Sequence, residues 1–130
     1  MIIDSSAVVA IVKGEPEAEP FTDAIIRCNL PEMSAAGYLE IGIVIDRLRD
    51  PVLSADVDRL LEGLAVQISP VTEAQARIAR QAYRDFGKGG GHKAQLNFGD
   101  CFAYALAMER GEPLLFKGAD FAHTGVGQAL

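Results

Sequence analysis

The period of the apolar positions changes repeatedly along the chain. Ile2-Ile3 is a short apolar pair that ends at an acid, Asp4, and it predicts a brief buried strand. Ser5-Ser6-Ala7-Val8-Val9-Ala10-Ile11-Val12 predicts a helix, with Asp4 or Ser5 placed to cap it and Gly14 to end it. A second helix is expected from about Glu17 to Arg27, and Pro31 to Met33 suggests a short edge strand. Ser34 then caps a long helix that runs to about Arg49, where Pro51 breaks it, and Ala55 to Leu64 predicts another. Val66 to Val71 alternates as a strand does. Thr72 and Gln75 have capping-box spacing and open a helix to about Phe86. Asn97 starts a further helix, which Gly111 ends after Arg110. Pro113 leads into a strand, Leu114-Leu115-Phe116, followed by a turn at Gly118-Ala119-Asp120.

Strands alternating with helices predict an α/β fold with a parallel sheet covered on both faces. Ligands of such sheets bind beyond the carboxyl ends of the strands. Asp4 and Asp120 each follow a predicted strand, so topology brings both to that edge. Asp100 falls in the first turn of a helix leading back to the sheet, and Glu40 lies inside a helix. The glycine-rich stretch at Gly87 to Gly91 is too short for an interdomain linker and reads as a surface loop. With no internal repeat, residues 1–130 form one expected domain.

Glu40 is the most telling residue. It sits in Tyr38-Leu39-Glu40-Ile41-Gly42-Ile43-Val44-Ile45, whose circumference is largely apolar. Its neighbours at helical spacing are Ala36, Gly37, Ile43 and Val44, and none is a cation. A carboxylate there loses hydration unless another charge compensates it. Taken singly, the other acids have plainer readings. Asp4 could cap the first helix, Asp100 is three residues after Asn97 as an N3 acid is, and Asp120 suits an Asx turn. Glu40's plainer reading is a half-exposed acid paired with a distant Arg. Together the four acids suggest a shared hard cation, of which Mg²⁺ is the commonest for oxygen ligands.

Composition adds exclusions. A hydrophobic fraction of 49% with 23% charged residues is that of an ordinary globular protein. No apolar run approaches the ~20 residues needed to span a bilayer. The opening Met1-Ile2-Ile3-Asp4 has no basic region before its apolar pair, so it is not read as a signal peptide, and a cytoplasmic location is the expectation. Cys28 and Cys101 lack CxxC or Cys/His neighbours and read as reduced, buried structural thiols. The net charge of −6 argues against binding nucleic acid by bulk electrostatics. It leaves open an enzyme that meets phosphate through metal ions. Arg77, Arg80, Arg84, Lys88, His92 and Lys93 cluster in sequence, either as a cationic strip or as a solvated helix face and loop. His92 and His123 both read as loop histidines, and no serine or cysteine has an evident histidine partner.

The ordered acids resemble a known family. Ile3-Asp4-Ser5-Ser6-Ala7 is similar to the opening motif of PIN-domain nucleases. Leu39-Glu40, Asn97-Phe98-Gly99-Asp100-Cys101 and Phe116-Lys117-Gly118-Ala119-Asp120-Phe121 resemble the later acidic motifs in order and approximate spacing. The likeness covers essentially the whole chain and is nearest to the VapC-type toxins of toxin–antitoxin pairs. It implies a PIN-like three-layer α/β/α sandwich and RNA cleavage that depends on Mg²⁺ or Mn²⁺, leaving 5′-phosphate and 3′-hydroxyl ends. It also implies a VapB-type antitoxin partner, usually a homodimer, and so a toxin–antitoxin hetero-oligomer. The family roles fall on Asp4, Glu40, Asp100 and Asp120 as the acidic cluster. Within it, Asp4 and Asp100 are expected to hold the principal cation, and Glu40 and Asp120 to complete its outer shell or hold a second ion.

Three rivals stand beside that reading. Haloacid-dehalogenase phosphatases also begin with a strand and an Asp, but they need a second Asp where Ser6 stands. A PIN-fold binding module with little turnover would keep the fold without the chemistry. A 5′-nuclease acting on DNA shares the acidic logic, but 130 residues leave little room for DNA-clamping segments.

Overall fold

The computed structural model describes residues 1–130. Its elements run β1 (Ile2–Ile3), α1 (Ser5–Val12), α2 (Ala18–Ile26), β2 (Glu32–Ser34), α3 (Ala35–Asp46), α4 (Pro51–Gly63), β3 (Gln67–Ser69), α5 (Glu73–Phe86), α6 (Phe98–Arg110) and β4 (Leu114–Leu115). The four strands are all parallel, in the order β3-β2-β1-β4. The chain builds β1, β2 and β3 outward in one direction, then returns to lay β4 on the other side of β1. The order therefore reverses between β1 and β4, and the crevice at their carboxyl ends is the place where such sheets bind ligands.

Side-chain alternation divides the interior into two cores. Ile2 and Leu114 are paired in register and face α5 and α6, with Ala79, Ala82, Leu96, Leu106 and Phe121. Ile3 and Leu115, the next residues along, face α1 to α4, with Val8, Phe21, Met33, Ile41, Ile45 and Leu61. A strand turns successive side chains to opposite faces, so a two-residue strand with both residues apolar must be covered on both sides. This is the expected three-layer sandwich.

Several local expectations hold. Asp4 and Ser34 cap α1 and α3, each accepting from the backbone N–H two residues on. Thr72 Oγ1 accepts from Gln75 N at 3.2 Å. The Gln75 amide does not return the bond; it donates to Glu109 Oε2 at 2.6 Å and ties α5 to α6. Gly111 ends α6 in the left-handed region, φ 65°, where a side chain is disfavoured.

Other expectations need correction. β2 is an interior strand, bonded to β1 and β3, because the chain places β3 outside it. α3 stops at Asp46, and α4 starts at Pro51 rather than Ala55. Pro51 opens that helix because its missing N–H would lack a partner in the first turn anyway, and Asp50 Oδ1 accepts from Val52 N at 2.9 Å. α3 buries Ile41 and Ile45 but leaves Leu39 63% and Ile43 46% exposed, so part of its largely apolar circumference is open surface. Cys101 is buried as expected, whereas Cys28 is only half-buried.

Candidate active site

The four acids come from four segments and line one cleft of about 260 Å³. Asp4 follows β1, and its backbone N–H bonds Leu115 O at 2.9 Å, which locks it beside the end of β4. Ser5, Ser6, Asn97 and Lys117 line the same cleft. Ser6 is the knot at its floor. Its N–H donates to Asp4 Oδ2 at 3.0 Å, its hydroxyl donates to the same oxygen, and Lys117 N donates to Ser6 Oγ at 3.0 Å. That last bond ties the segment after β4, which carries Asp120, to the start of α1.

Asp100 occupies both roles that the sequence left open. It is the N3 acid of a capping box: Asn97 N donates to Asp100 Oδ2 at 2.8 Å, and Asp100 N donates to Asn97 Oδ1 at 2.9 Å. It also faces the cleft. Asp4 likewise both caps α1 and lines the cleft. Helix N-termini are where carboxylates are best tolerated, and here they deliver two of them to one point. Asp120 sits on the exposed rim.

Glu40 has no arginine partner. Its Oε1 accepts from the Ser5 hydroxyl across 35 residues of chain, at the first turn of α1. The other side of the same carboxylate lies against Gly99 in the first turn of α6.

The electrostatics of the cleft are unbalanced. Asp4 is 3% exposed and Asp100 7%. Burial is the largest cause of the rise in the Asp4 pKa, with the Glu40 charge adding to it against the bonds from Ser6. The Asp100 carboxyl is pushed up to about 7, first by burial and then by the charges of Asp4, Asp120 and Glu40. None of the four forms a salt bridge within the chain. Lys117, the cation of the lining, holds Glu15 at 2.6 Å and Glu17 at 3.0 Å instead. Carboxylates crowded together without a cation suit a hard divalent ion from solution. No three of them converge into a finished cage, so a cation would have to draw them closer.

Sequence reasoning did not find Ser5, Asn97, Gly99 or Lys117 as parts of this site, although Asn97 stands there at the start of a helix three residues before Asp100. It also missed a buried acid outside the cleft. Glu32 on β2 is 6% exposed and accepts from Ser69 Oγ at 2.8 Å and from Arg110 Nε at 3.1 Å. Glu32 does not line the cleft, and it has the cation that the four cleft acids lack. His92 is exposed, its Nδ1 accepting from Ala94 N at 3.0 Å and its ring edge-on to Phe86; it is not in the cleft. His123 is an exposed loop residue. The Cys101 thiol is pushed up to about 11 by burial and by Asp100, so it is no nucleophile.

Residues 1–127 match the PIN domain family. The chain belongs to the PIN-domain family. Among its curated relatives, this PIN domain is 55% identical to ribonuclease VapC28 of Mycobacterium tuberculosis, over 100% of this chain and 98% of that protein. It is 49% identical to ribonuclease VapC42 of the same species, over 97% of this chain and 96% of that protein. Among solved structures, it superposes on the sarcin–ricin loop-cleaving toxin VapC20 of Mycobacterium tuberculosis with a TM-score of 0.74 at 15% identity, over 96% and 95% of the two chains. A chain from a toxin–antitoxin complex of Klebsiella pneumoniae gives 0.72 at 15% identity, over 94% and 90%. At that identity the two structures speak for the PIN fold alone.

Proposed function

We propose that this single PIN domain, residues 1–130, is a Mg²⁺- or Mn²⁺-dependent endoribonuclease and the toxin of a VapBC-type toxin–antitoxin pair. The VapC ribonucleases that it matches over 98% of their length support the class of activity. One geometric fact supports the chemistry: Asp4, Glu40, Asp100 and Asp120 line one cleft, and no cation of the chain pairs with any of them.

In this reading Asp4 and Asp100 would hold the principal cation, and Glu40 and Asp120 would complete its surroundings. When bound, such a cation neutralises charge on the phosphoryl oxygens and acidifies a water molecule. The chain's own residues do the rest. Ser6 and Asn97 fix the orientation of Asp4 and Asp100 through the bonds described above. Ser5 fixes Glu40. No side-chain nucleophile is required, and none is present in the lining beyond hydroxyls already engaged with Asp4 and Glu40.

The surface supports the partners of this reading. An acidic cleft whose lining cation, Lys117, is taken up by Glu15 and Glu17 suits an Arg- or Lys-bearing segment of a VapB-type antitoxin. The open apolar face of α3 suits a second copy of the chain, giving a homodimer within a hetero-oligomer. No helix is long and apolar enough to cross a membrane, and we assign the protein to the cytoplasm on its function.

The test uses purified protein freed of antitoxin and an RNA substrate with Mg²⁺ or with a chelator. Asp4→Asn and Asp100→Asn should each lower cleavage by on the order of 100-fold. Wild-type rates in both variants would remove the metal assignment, and a wild-type protein that binds RNA without cleaving it would favour the binding-module alternative.

A further inference from the structure

Gly99 occupies the second position of α6, where a helix gains nothing from glycine. Its backbone is not in the left-handed region, so conformation does not demand it. An alanine there would favour the helix. What the position does demand is space. A Cβ on Gly99 would lie 2.8 Å from Glu40 Cδ and still closer to Oε2. On the opposite side, the same carboxylate accepts from the Ser5 hydroxyl. Glu40 therefore leaves α3 and ends in a slot between the first turns of α1 and α6, closed by a hydroxyl on one side and by a bare α-carbon on the other.

We propose that Gly99 is a positioning residue for the Glu40 carboxylate: its missing side chain is what lets Glu40 enter the cleft shared with Asp4 and Asp100. The inference rests on the proposed role of Glu40 in that cleft. Any side chain at residue 99 pushes Glu40 out of its slot, away from Ser5, and leaves Asp100 with one fewer charge beside it. The effect is steric and local. It reaches the chemistry only through Glu40.

A double-mutant cycle tests this, because a purely structural role for Gly99 would not depend on residue 40. Gly99→Ala should lower kcat about tenfold with little change in KM, and weaken Mn²⁺ binding, read by calorimetry, by up to about tenfold. Glu40→Gln removes the charge but keeps the size, so the clash with an alanine at residue 99 remains in that background. In a Glu40→Ala background the slot is empty, so Gly99→Ala should change neither residual activity nor Mn²⁺ affinity. If Gly99→Ala is misfolded alone, Glu40→Ala/Gly99→Ala should fold with the Tm of Glu40→Ala, since truncation removes the clash. Equal losses from Gly99→Ala in both backgrounds, or a double variant that does not fold, would overturn the proposal while leaving Glu40's role intact. Wild-type activity in Glu40→Ala would overturn both.

Discussion

Asn97 and Asp100 hold each other by two reciprocal bonds, at 2.8 and 2.9 Å, across the first turn of α6. The same carboxylate that closes this capping box lines the acidic cleft. One side chain thus serves the fold and the site, and the two roles are separable by substitution.

Asn97→Ala removes the acceptor for Asp100 N and should destabilise the domain by about 1 kcal/mol. It leaves the Asp100 charge in place, so cleavage should fall only modestly. Asp100→Asn should show the reverse. It keeps an oxygen for Asn97 N and most of the cap, yet abolishes most activity. Thermal unfolding and cleavage rates on both variants check this, and parallel losses in the two measurements would mean that the cap and the chemistry are not separate.

Stability should depend on pH in an unusual direction. The Asp100 carboxyl is pushed up to about 7 and that of Asp4 is also raised, whereas unfolded aspartates titrate near ~3.9. Between those values the folded chain holds protons that the unfolded chain releases. The stabilisation is thus full below the unfolded value and is lost as pH rises through about 7. In a chelator, Tm should be higher at pH 5.5 than at pH 8, and Asp100→Asn should shrink the difference. Adding Mg²⁺ at pH 8 should recover the loss, because the ion binds only the folded cleft. A Tm that rises with pH under chelation would contradict the crowding of these acids.

The parts of this site that could be read from the sequence are those set by local chemistry. Asp4 ends an apolar pair and precedes a helix; Asn97 and Asp100 have cap spacing; Glu40 is an acid among apolar neighbours. Alternation of strands and helices was enough for the layers. Ser5 and Gly99 were hidden because each acts by touching a residue 35 or more positions away. The interior place of β2 was hidden because two three-residue strands, each with one apolar residue, carry no record of which lies outside. Pro51 misled because a proline after a helix also opens the next one. Glu32 sat at the start of a strand, and its burial depends on Arg110, 78 residues on.

Glu32 and Arg110 form a buried-acid pair outside the cleft, against which the cleft acids can be compared. The Arg110 side chain is 41% exposed while that of Glu32 is 8%, so their pair is partly wet. Arg110→Met leaves Glu32 with only Ser69 and should destabilise by about 1–2 kcal/mol. Cleavage per folded molecule should not change, since neither residue lines the cleft. Denaturant titration and single-turnover cleavage separate the two effects, and a changed cleavage rate in fully folded protein would show that the pair reaches the cleft through α6.

The cations of α5 are not equivalent, and RNA binding should reveal the difference. Arg77 is held by Glu73 at 2.7 Å, and Arg84 reaches Gln81 at 3.5 Å. Arg80 has neither. It borders an apolar groove with Tyr83, Phe98 and Phe102, and Phe98 is 78% exposed in the turn of α6 that carries Asp100. Arg80 lines the groove that includes Phe98 and Arg77 does not, and a free guanidinium gains more from a phosphate than one already paired. Arg80→Glu should therefore weaken binding more than Arg77→Glu, and it should flatten the dependence of log affinity on log salt by roughly 0.7 for each phosphate that is no longer neutralised. Fluorescence anisotropy at several salt concentrations, with a catalytically dead Asp100→Asn background to prevent cleavage, gives both numbers. Equal affinities and slopes for the two variants would mean that this face of α5 meets only bulk solvent, and the phosphate path would then have to run along the Lys88–Lys93 loop instead.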